Sequence, residues 1–291
     1  MEQVLQQFLY GISIGSVYAL IALGFSIIFQ TTGLLSFAHQ EIMMVGGLLG
    51  YTMLTHLGIP FLVTLGLAMV ICTAIALAVE RLGLARIRKR GGSELNMIVA
   101  TIGIGIVIYC AAMLIWGPYS HPYPHAEVPQ PLKLGSLAID PKYLWVLGIS
   151  FAAMLILQFL LKQTRLGLAM RAAAEDPPTA ELMGIPINDM ASLSFAASGA
   201  LAGLAGILVA LLYFASFDMG SIGLKAMSAA VIGGFGSLPG AVVGGLILGV
   251  LETYGTLYLA SDVNNALPFA ILIVVLLLRP SGLLGRKLRE V

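Results

Sequence analysis

Long apolar runs alternate with short polar stretches along the whole chain. Nine runs stand out, at roughly 5–29, 34–55, 59–79, 95–116, 143–161, 190–214, 222–235, 241–259 and 267–278. A helix needs about 20 apolar residues to cross the hydrocarbon of a bilayer. Most of the nine reach that length, while 222–235 and 267–278 fall short of it. A short run predicts a helix tilted into the bundle, or a broken or re-entrant one shielded by its neighbours. The pattern therefore predicts an all-α, polytopic membrane helix bundle. It has eight to nine spanning helices, one or two of them short or broken, in a single transmembrane domain covering 1–291.

Composition agrees: of 291 residues 59% are apolar and only 10% charged, where a soluble domain carries about a quarter charged. The net charge of +1 offers no basic field for nucleic acid. Cys72 and Cys110 sit in apolar runs without CxxC or Cys/His spacing, so they are expected as small lipid-buried or helix-packing residues rather than in a disulfide or metal site. The opening Met1-Glu2-Gln3-Val4 lacks the basic segment of a cleavable signal, and the first run is expected to remain as a span.

The position of the charges changes the picture more than their number. Twelve of the fifteen Lys and Arg fall in three segments. Arg81, Arg86, Arg88, Lys89 and Arg90 lie in 80–94, Lys162, Arg165 and Arg171 in 162–189, and Arg279, Arg286, Lys287 and Arg289 at the C-terminus. With nine spans all three fall on one side, the cytoplasmic one by the positive-inside rule. This predicts an outer N-terminus and an inner C-terminus, with Lys133, Lys142 and Lys225 facing out. The outer connection 117–142 carries Pro118, Pro122, Pro124, Pro129, Pro131 and Pro141, which disfavour helix and predict a stiffened hairpin, lid or plain spacer.

Within the spans, Gly11/Gly15, Gly46/Gly50, Gly199/Gly203, Gly240/Gly244 and Gly245/Gly249 have the GxxxG spacing that lets helix backbones approach closely. His39 and Glu41 interrupt an otherwise uncharged stretch, and a carboxylate inside a span marks a functional site or a fastening between helices. Glu252 is the second such carboxylate and poses the same choice. An i, i+2 pair points to different sides of a helix, so His39 and Glu41 do not make a metal site. The 233–240 run Gly-Gly-Phe-Gly-Ser-Leu-Pro-Gly lacks a following Gly-Lys-Ser/Thr, so it is not a phosphate loop and any nucleotide hydrolysis must come from another polypeptide.

In 162–189, Asp176 can cap a short helix, Pro177 suits its first position, and Gly184 with Pro186 ends it. Such a helix presents Leu182, Met183 and Ile185 beyond Ala180, either to a partner or to the membrane surface.

The run Thr164-Arg165-Leu166-Gly167-Leu168-Ala169-Met170-Arg171-Ala172, with Asp176-Pro177, Ala180 and Met183-Gly184-Ile185, resembles the coupling loop of branched-chain amino-acid ABC transporter permeases of the LivH type. The stretch Gly33-Leu34-Leu35-Ser36-Phe37-Ala38-His39-Gln40-Glu41-Ile42-Met43-Met44-Val45-Gly46 is similar to that family's Asn-x-Ala-His-Gly-Glu/Asp-Phe-Met-Met-x-Gly signature. Ser36 stands where the family usually has Asn and Gln40 where it usually has Gly, so both positions bear on substrate preference. Ala100-Thr101-Ile102-Gly103, the 233–241 run, Leu251-Glu252 and Arg279-Pro280-Ser281-Gly282-Leu283-Leu284-Gly285 extend the likeness in order over nearly the whole chain.

The resemblance implies a permease subunit of the bacterial inner membrane without an ATPase site or cofactor of its own. A periplasmic amino-acid-binding protein would deliver substrate to this subunit and a second related one, and two cytoplasmic ATPases using ATP and Mg would drive alternating access. Ser36, His39, Glu41, Asn96, Thr101 and Glu252 would line the substrate pathway. Arg165, Gly167, Arg171, Asp176, Ala180, Leu182, Met183, Gly184 and Ile185 would couple it to the ATPase. An ion-gradient-driven transporter or channel using Glu41, and an ABC permease for urea or short amides, are the alternative functions. A membrane enzyme is disfavoured, since HExxH is absent and the one GxSxG spacing, Gly11-Ile12-Ser13-Ile14-Gly15, lies inside the first apolar run rather than at a strand-to-helix turn.

Overall fold

The computed structural model describes residues 2–123, 132–134, 137–258 and 261–285, and it has a helix at each of the nine apolar runs. Helix α1 (Glu2–Thr32) ends where Gly33, at φ +68°, donates its N–H to the Phe29 carbonyl at 2.8 Å. Helix α2 (Ala38–Thr55) starts four residues later than the run beginning at 34 predicts, because 33–37 is a non-helical break. Helix α3 (Phe61–Ala78) continues through a π-helical turn, Val79–Leu84, into α4 (Ala85–Lys89). The segment 80–94, expected as a basic loop, is thus helical to Lys89. The reason is amphipathic: Leu84 is fully buried in a cluster with Ile28, Leu34, Met97 and Phe195, while the basic side chains remain at the surface.

Helix α5 (Glu94–Trp116) is capped by Ser93, and α6 (Pro141–Gln163) by Asp140 with a proline at its start. Between them, β1 (Leu132–Leu134) and β2 (Leu137–Ile139) form a small antiparallel hairpin. The expected positions Pro124, Pro129 and Pro131 lie outside the described residues. Then follow α7 (Arg165–Glu175), α8 (Pro177–Leu182), α9 (Ile187–Leu212), a 3-10 turn at Phe217–Met219, α10 (Gly220–Gly233), α11 (Leu238–Tyr258) and α12 (Ser261–Leu278).

Six of these helical stretches are long and apolar enough to cross a membrane: Gln6–Thr32, Phe61–Lys89, Glu94–Trp116, Pro141–Gln163, Ile187–Leu212 and Leu238–Thr256. The other three runs fall short for separate reasons. Helix α2 carries His39, Gln40 and Glu41 in its first turn, α10 has 14 residues, and the apolar part of α12 is Ala266–Leu278.

Helices α1 and α9 form the centre of the bundle, and glycines set how closely their neighbours approach. A Cβ on Gly15 would meet the Leu246 backbone at 2.9 Å, and Gly249 abuts Gly15 and Gly11, so α1 and α11 cross almost backbone to backbone. On α9, Gly203 lies against Ala68 of α3, and Gly46 of α2 lies against Gly203. Cys72, fully buried beside Gly46, is a packing residue as expected, whereas Cys110 is exposed. Helices α5 and α6 form an outer layer with apolar side chains such as Val107, Leu114, Leu155 and Phe159 exposed, the surface a bilayer or partner covers.

The described basic segments gather at one end of the bundle. Phe29 near the end of α1 meets Phe235 edge-on with centroids 4.6 Å apart, and Leu283 and Leu284 donate their N–H groups to the carbonyls of Ile232 and Gly233 at 2.9 Å. At the same end Leu84 and Met97 join Ile28, and Arg88 Nε donates to Asn188 Oδ1 at 3.1 Å. Arg286, Lys287 and Arg289 lie outside the described residues. At the opposite end the Tyr254 hydroxyl donates to the Val4 carbonyl at 3.0 Å, and Trp116 Nε1 donates to Thr52 Oγ1 at 2.7 Å. His121 is pinned there by paired backbone bonds to Ala215 at 2.8 and 3.0 Å and by stacking on Tyr51.

Candidate functional site

The break before α2 gathers polar atoms that the bundle does not satisfy. Its backbone is held by Thr101, whose Oγ1 accepts the Phe37 N–H at 3.2 Å while the hydroxyl donates to the Ile98 carbonyl at 2.7 Å. Ser36 and His39 are buried, and the His39 ring fits against Gly24 because that residue has no side chain. His39 Nδ1 bonds to the Ser198 hydroxyl at 2.7 Å, and the ring meets Phe25 edge-on. Ser36 Oγ, His39 Nε2, Gln40 Oε1 and Glu41 Oε2 are buried without a hydrogen bond of ordinary geometry among the described residues. Polar atoms without a partner are costly in a bundle interior, and here they cluster within six residues.

Glycines on two other helices open room for this cluster. The Glu41 carboxylate accepts from Gln40 Nε2 at 3.4 Å and lies against Gly220, where a Cβ would sit 2.8 and 3.0 Å from its two oxygens. Gly105 of α5 lies beside the Glu41 stem, and Gly223 admits Gln40. Glu41 is in the first turn of α2, and Gly220 opens α10. The site therefore lies where two helices present their N-terminal ends, an arrangement suited to holding negative charge.

Ser36, His39, Glu41 and Thr101 are thus brought together, and two other expected pathway residues are not. Asn96 is exposed in the first turn of α5. Glu252 belongs to a separate network: its Oε1 accepts from Lys225 Nζ at 2.6 Å and its Oε2 from the Tyr18 hydroxyl at 2.6 Å. Helix α10 stands between the two carboxylates, with Gly220 and Gly223 turned to α2 and Lys225 turned to Glu252. Ser13, Ser16, Ser194 and Ser228 bond to carbonyls of their own helices, and Ser194 also to Thr31 Oγ1 at 2.8 Å, so these hydroxyls are engaged within the bundle.

Sequence reasoning missed a third carboxylate. Glu80 is 1% exposed in the π-helical turn; its Oε1 accepts from Arg88 Nη2 at 2.8 Å and its Oε2 from the Ser192 hydroxyl at 2.7 Å. This ties the end of α3 to the start of α9. An i, i+8 spacing is not a helical pairing signal, and the surrounding basic residues made the segment read as a solvated loop.

The other expected element, 162–189, folds as two helices joined at Asp176. Helix α7 was not expected; Thr164 caps it, accepting the Gly167 N–H at 3.0 Å. Gly167 itself packs on the Leu160 and Leu161 carbonyls of α6. Arg171 bonds back to the carbonyls of Gly167 and Lys162 at 3.4 and 3.5 Å and so braces the corner, while Arg165 is exposed.

Asp176 caps α8 as expected. Its Oδ2 accepts the Thr179 hydroxyl at 2.6 Å and its Oδ1 the Thr179 N–H at 3.1 Å, bonds that hold its carboxyl below the usual range. At the other end Gly184, at φ +84°, donates to the Glu181 carbonyl and Ile185 to the Ala180 carbonyl at 2.9 and 3.0 Å, the paired bonds of a Schellman stop. Leu182 and Met183 are 88% and 80% exposed, whereas Ala180 is buried and Ile185 packs inward on the core. The expectation that Ile185 is presented outward is therefore corrected, because the glycine turn folds it back over α8.

The family described as "Branched-chain amino acid transport system / permease component" matches residues 7–276. The high-affinity branched-chain amino acid transport system permease protein BraD of Pseudomonas aeruginosa is 33% identical, covering 97% of this chain and 96% of its own length. LivH of Escherichia coli, of the same description, is 34% identical with the same coverage. A probable branched-chain amino acid transport permease protein LivH of Methanocaldococcus jannaschii is 29% identical over 93% of this chain and 89% of its own length. No solved structure matches the chain. With its multi-pass helical bundle and these near full-length matches, the chain belongs to the branched-chain amino acid transport system permease component family.

Proposed function

We propose that this chain is a transmembrane permease subunit of an ATP-driven ABC importer for branched-chain amino acids, in the inner membrane of a bacterium. The observation that carries the reading is end-to-end similarity to permeases of branched-chain amino acid transport systems. The chain would pair with a second related permease subunit, receive substrate from a periplasmic amino-acid-binding protein, and be driven by two cytoplasmic ATPases that use ATP and Mg. The basic end of the bundle would face the cytoplasm, leaving the N-terminus outside and the C-terminus inside. Counting α2, α10 and α12 with the six long helical stretches gives nine membrane helices, of which α2 and α10 meet as interrupted ones beside Glu41.

Helix α8 is the docking element in this reading. It is capped at both ends and presents Leu182 and Met183 to solvent at the basic end, a pair of apolar anchors suited to a groove on an ATPase. Only four residues, 183–186, link α8 to α9, so movement of α8 is transmitted to the helix that carries Ser198 against His39. Deleting the gene is expected to abolish high-affinity uptake of radiolabelled leucine, isoleucine and valine, with restoration from a plasmid copy. Unchanged uptake in the deletion strain would overturn the proposal.

A further inference from the structure

Between the outer halves of α1, α10 and α11 and the start of α6 lies a cavity of about 390 Å³, within the roughly 300–1,000 Å³ of small-molecule sites. Its polar part is the Lys225–Glu252 ion pair, with the Tyr18 hydroxyl on the second carboxylate oxygen. Tyr213 lines the same cavity as Tyr18. Its apolar part consists of Ile14, Ile222 and the stacked rings of Tyr10 and Tyr143, whose centroids are 4.1 Å apart.

Fastening α10 to α11 requires only contact between the two side chains, and no solute-sized space beside them. Here both charged ends instead face a cavity large enough for a solute. A cation and an anion held 2.6 Å apart on the wall of an open, solute-sized site are placed to meet a solute that carries both charges.

We infer that this cavity is a binding site for the zwitterionic head of an aliphatic α-amino acid, with Lys225 taking the carboxylate and Glu252 the ammonium. On entry the ligand's two charges replace the Lys225–Glu252 contact with two contacts of the same kind, so no buried charge is left unpaired at any stage. The aliphatic side chain lies against Ile14, Ile222 and the tyrosine rings. Because the site gives up one ion pair to make two, net affinity is modest, as passage requires. A neutral amide or a sugar cannot satisfy both charged groups, and this is the source of its selectivity. The site is distinct from the Glu41 cluster, on the other side of α10.

The inference rests on the proposed function, and its test separates the two. The importer is reconstituted in proteoliposomes with its ATPases, second permease and binding protein, and ATP-driven leucine uptake is measured. No uptake by the wild-type complex overturns the proposed function itself. If the wild type transports, the charge-free double variant Lys225→Met/Glu252→Gln is expected to raise the KM for leucine at least tenfold while the complex still co-purifies in full. Uptake equal to wild type by that assembled variant refutes the site.

Ile222→Trp leaves the ion pair in place and fills the cavity. It is expected to reduce uptake at least tenfold, with thermal unfolding of the complex unchanged. If the double variant does not assemble, this second variant decides alone, and normal uptake by it overturns the inference.

Discussion

Removing Arg88 tests how the basic end of the bundle is held. Glu80 is 1% exposed and the Arg88 side chain 29%, with 2.8 Å between Oε1 and Nη2. Breaking a buried ion pair by deleting one partner costs about 3–5 kcal/mol, mostly because the remaining charge is stranded. Solvent reaches Arg88, so screening reduces the expected cost of Arg88→Ala to about 2–4 kcal/mol. Glu80→Gln keeps an acceptor for the Ser192 hydroxyl and leaves Arg88 to water, at a cost of about 1 kcal/mol. The double variant strands no charge and is expected at about 1–2 kcal/mol, more stable than Arg88→Ala alone. Unfolding by SDS titration in mixed micelles measures all three. A double variant whose cost equals the sum of the singles would refute the claim that a stranded carboxylate, rather than lost packing, sets the penalty.

Replacing both Leu182 and Met183 with Asp should leave stability unchanged, since both are exposed, yet abolish substrate-stimulated ATP hydrolysis by the assembled complex. Thr101→Val removes the acceptor of the Phe37 N–H at the break and should cost about 1–3 kcal/mol in the same titration. It should also lower transport, because it loosens the segment that positions Ser36 and Glu41. Gly249→Val places an isopropyl group into the α1–α11 crossing, where its Cβ alone already collides with the Gly15 backbone. A loss of at least 1–3 kcal/mol is expected, read as reduced yield of folded protein in the membrane fraction.

The helices were legible because burial in lipid imposes one strong signal, a long uncharged run, and each of the nine runs became a helix. The α8 stop was legible in the same way, since Asp176, Pro177 and Gly184 have local jobs that depend only on the backbone. What the sequence hid was where a run is interrupted and what meets at the interruption. Leu34, Leu35 and Phe37 are as apolar as the helix that follows, so nothing marks 33–37 as non-helical except Gly33, and the Thr101 bond that holds the break comes from 64 residues away. Glu252 was visible as a buried carboxylate, but its partner Lys225 lies on a different helix and reads in sequence as an outer-face charge. Arg165 and Arg171 read as one basic coupling patch, yet Arg171 turns back to brace the corner of α6 and α7.

The central claim, that this chain conducts branched-chain amino acids only when driven by ATPase partners docked on α8, is tested most directly by leucine uptake into proteoliposomes. One set contains this chain alone and the other contains it with its second permease, its two ATPases and the binding protein. Uptake is predicted only in the complete set, only with ATP and Mg, and independent of imposed proton or sodium gradients. Gradient-driven uptake by the chain alone would contradict the account.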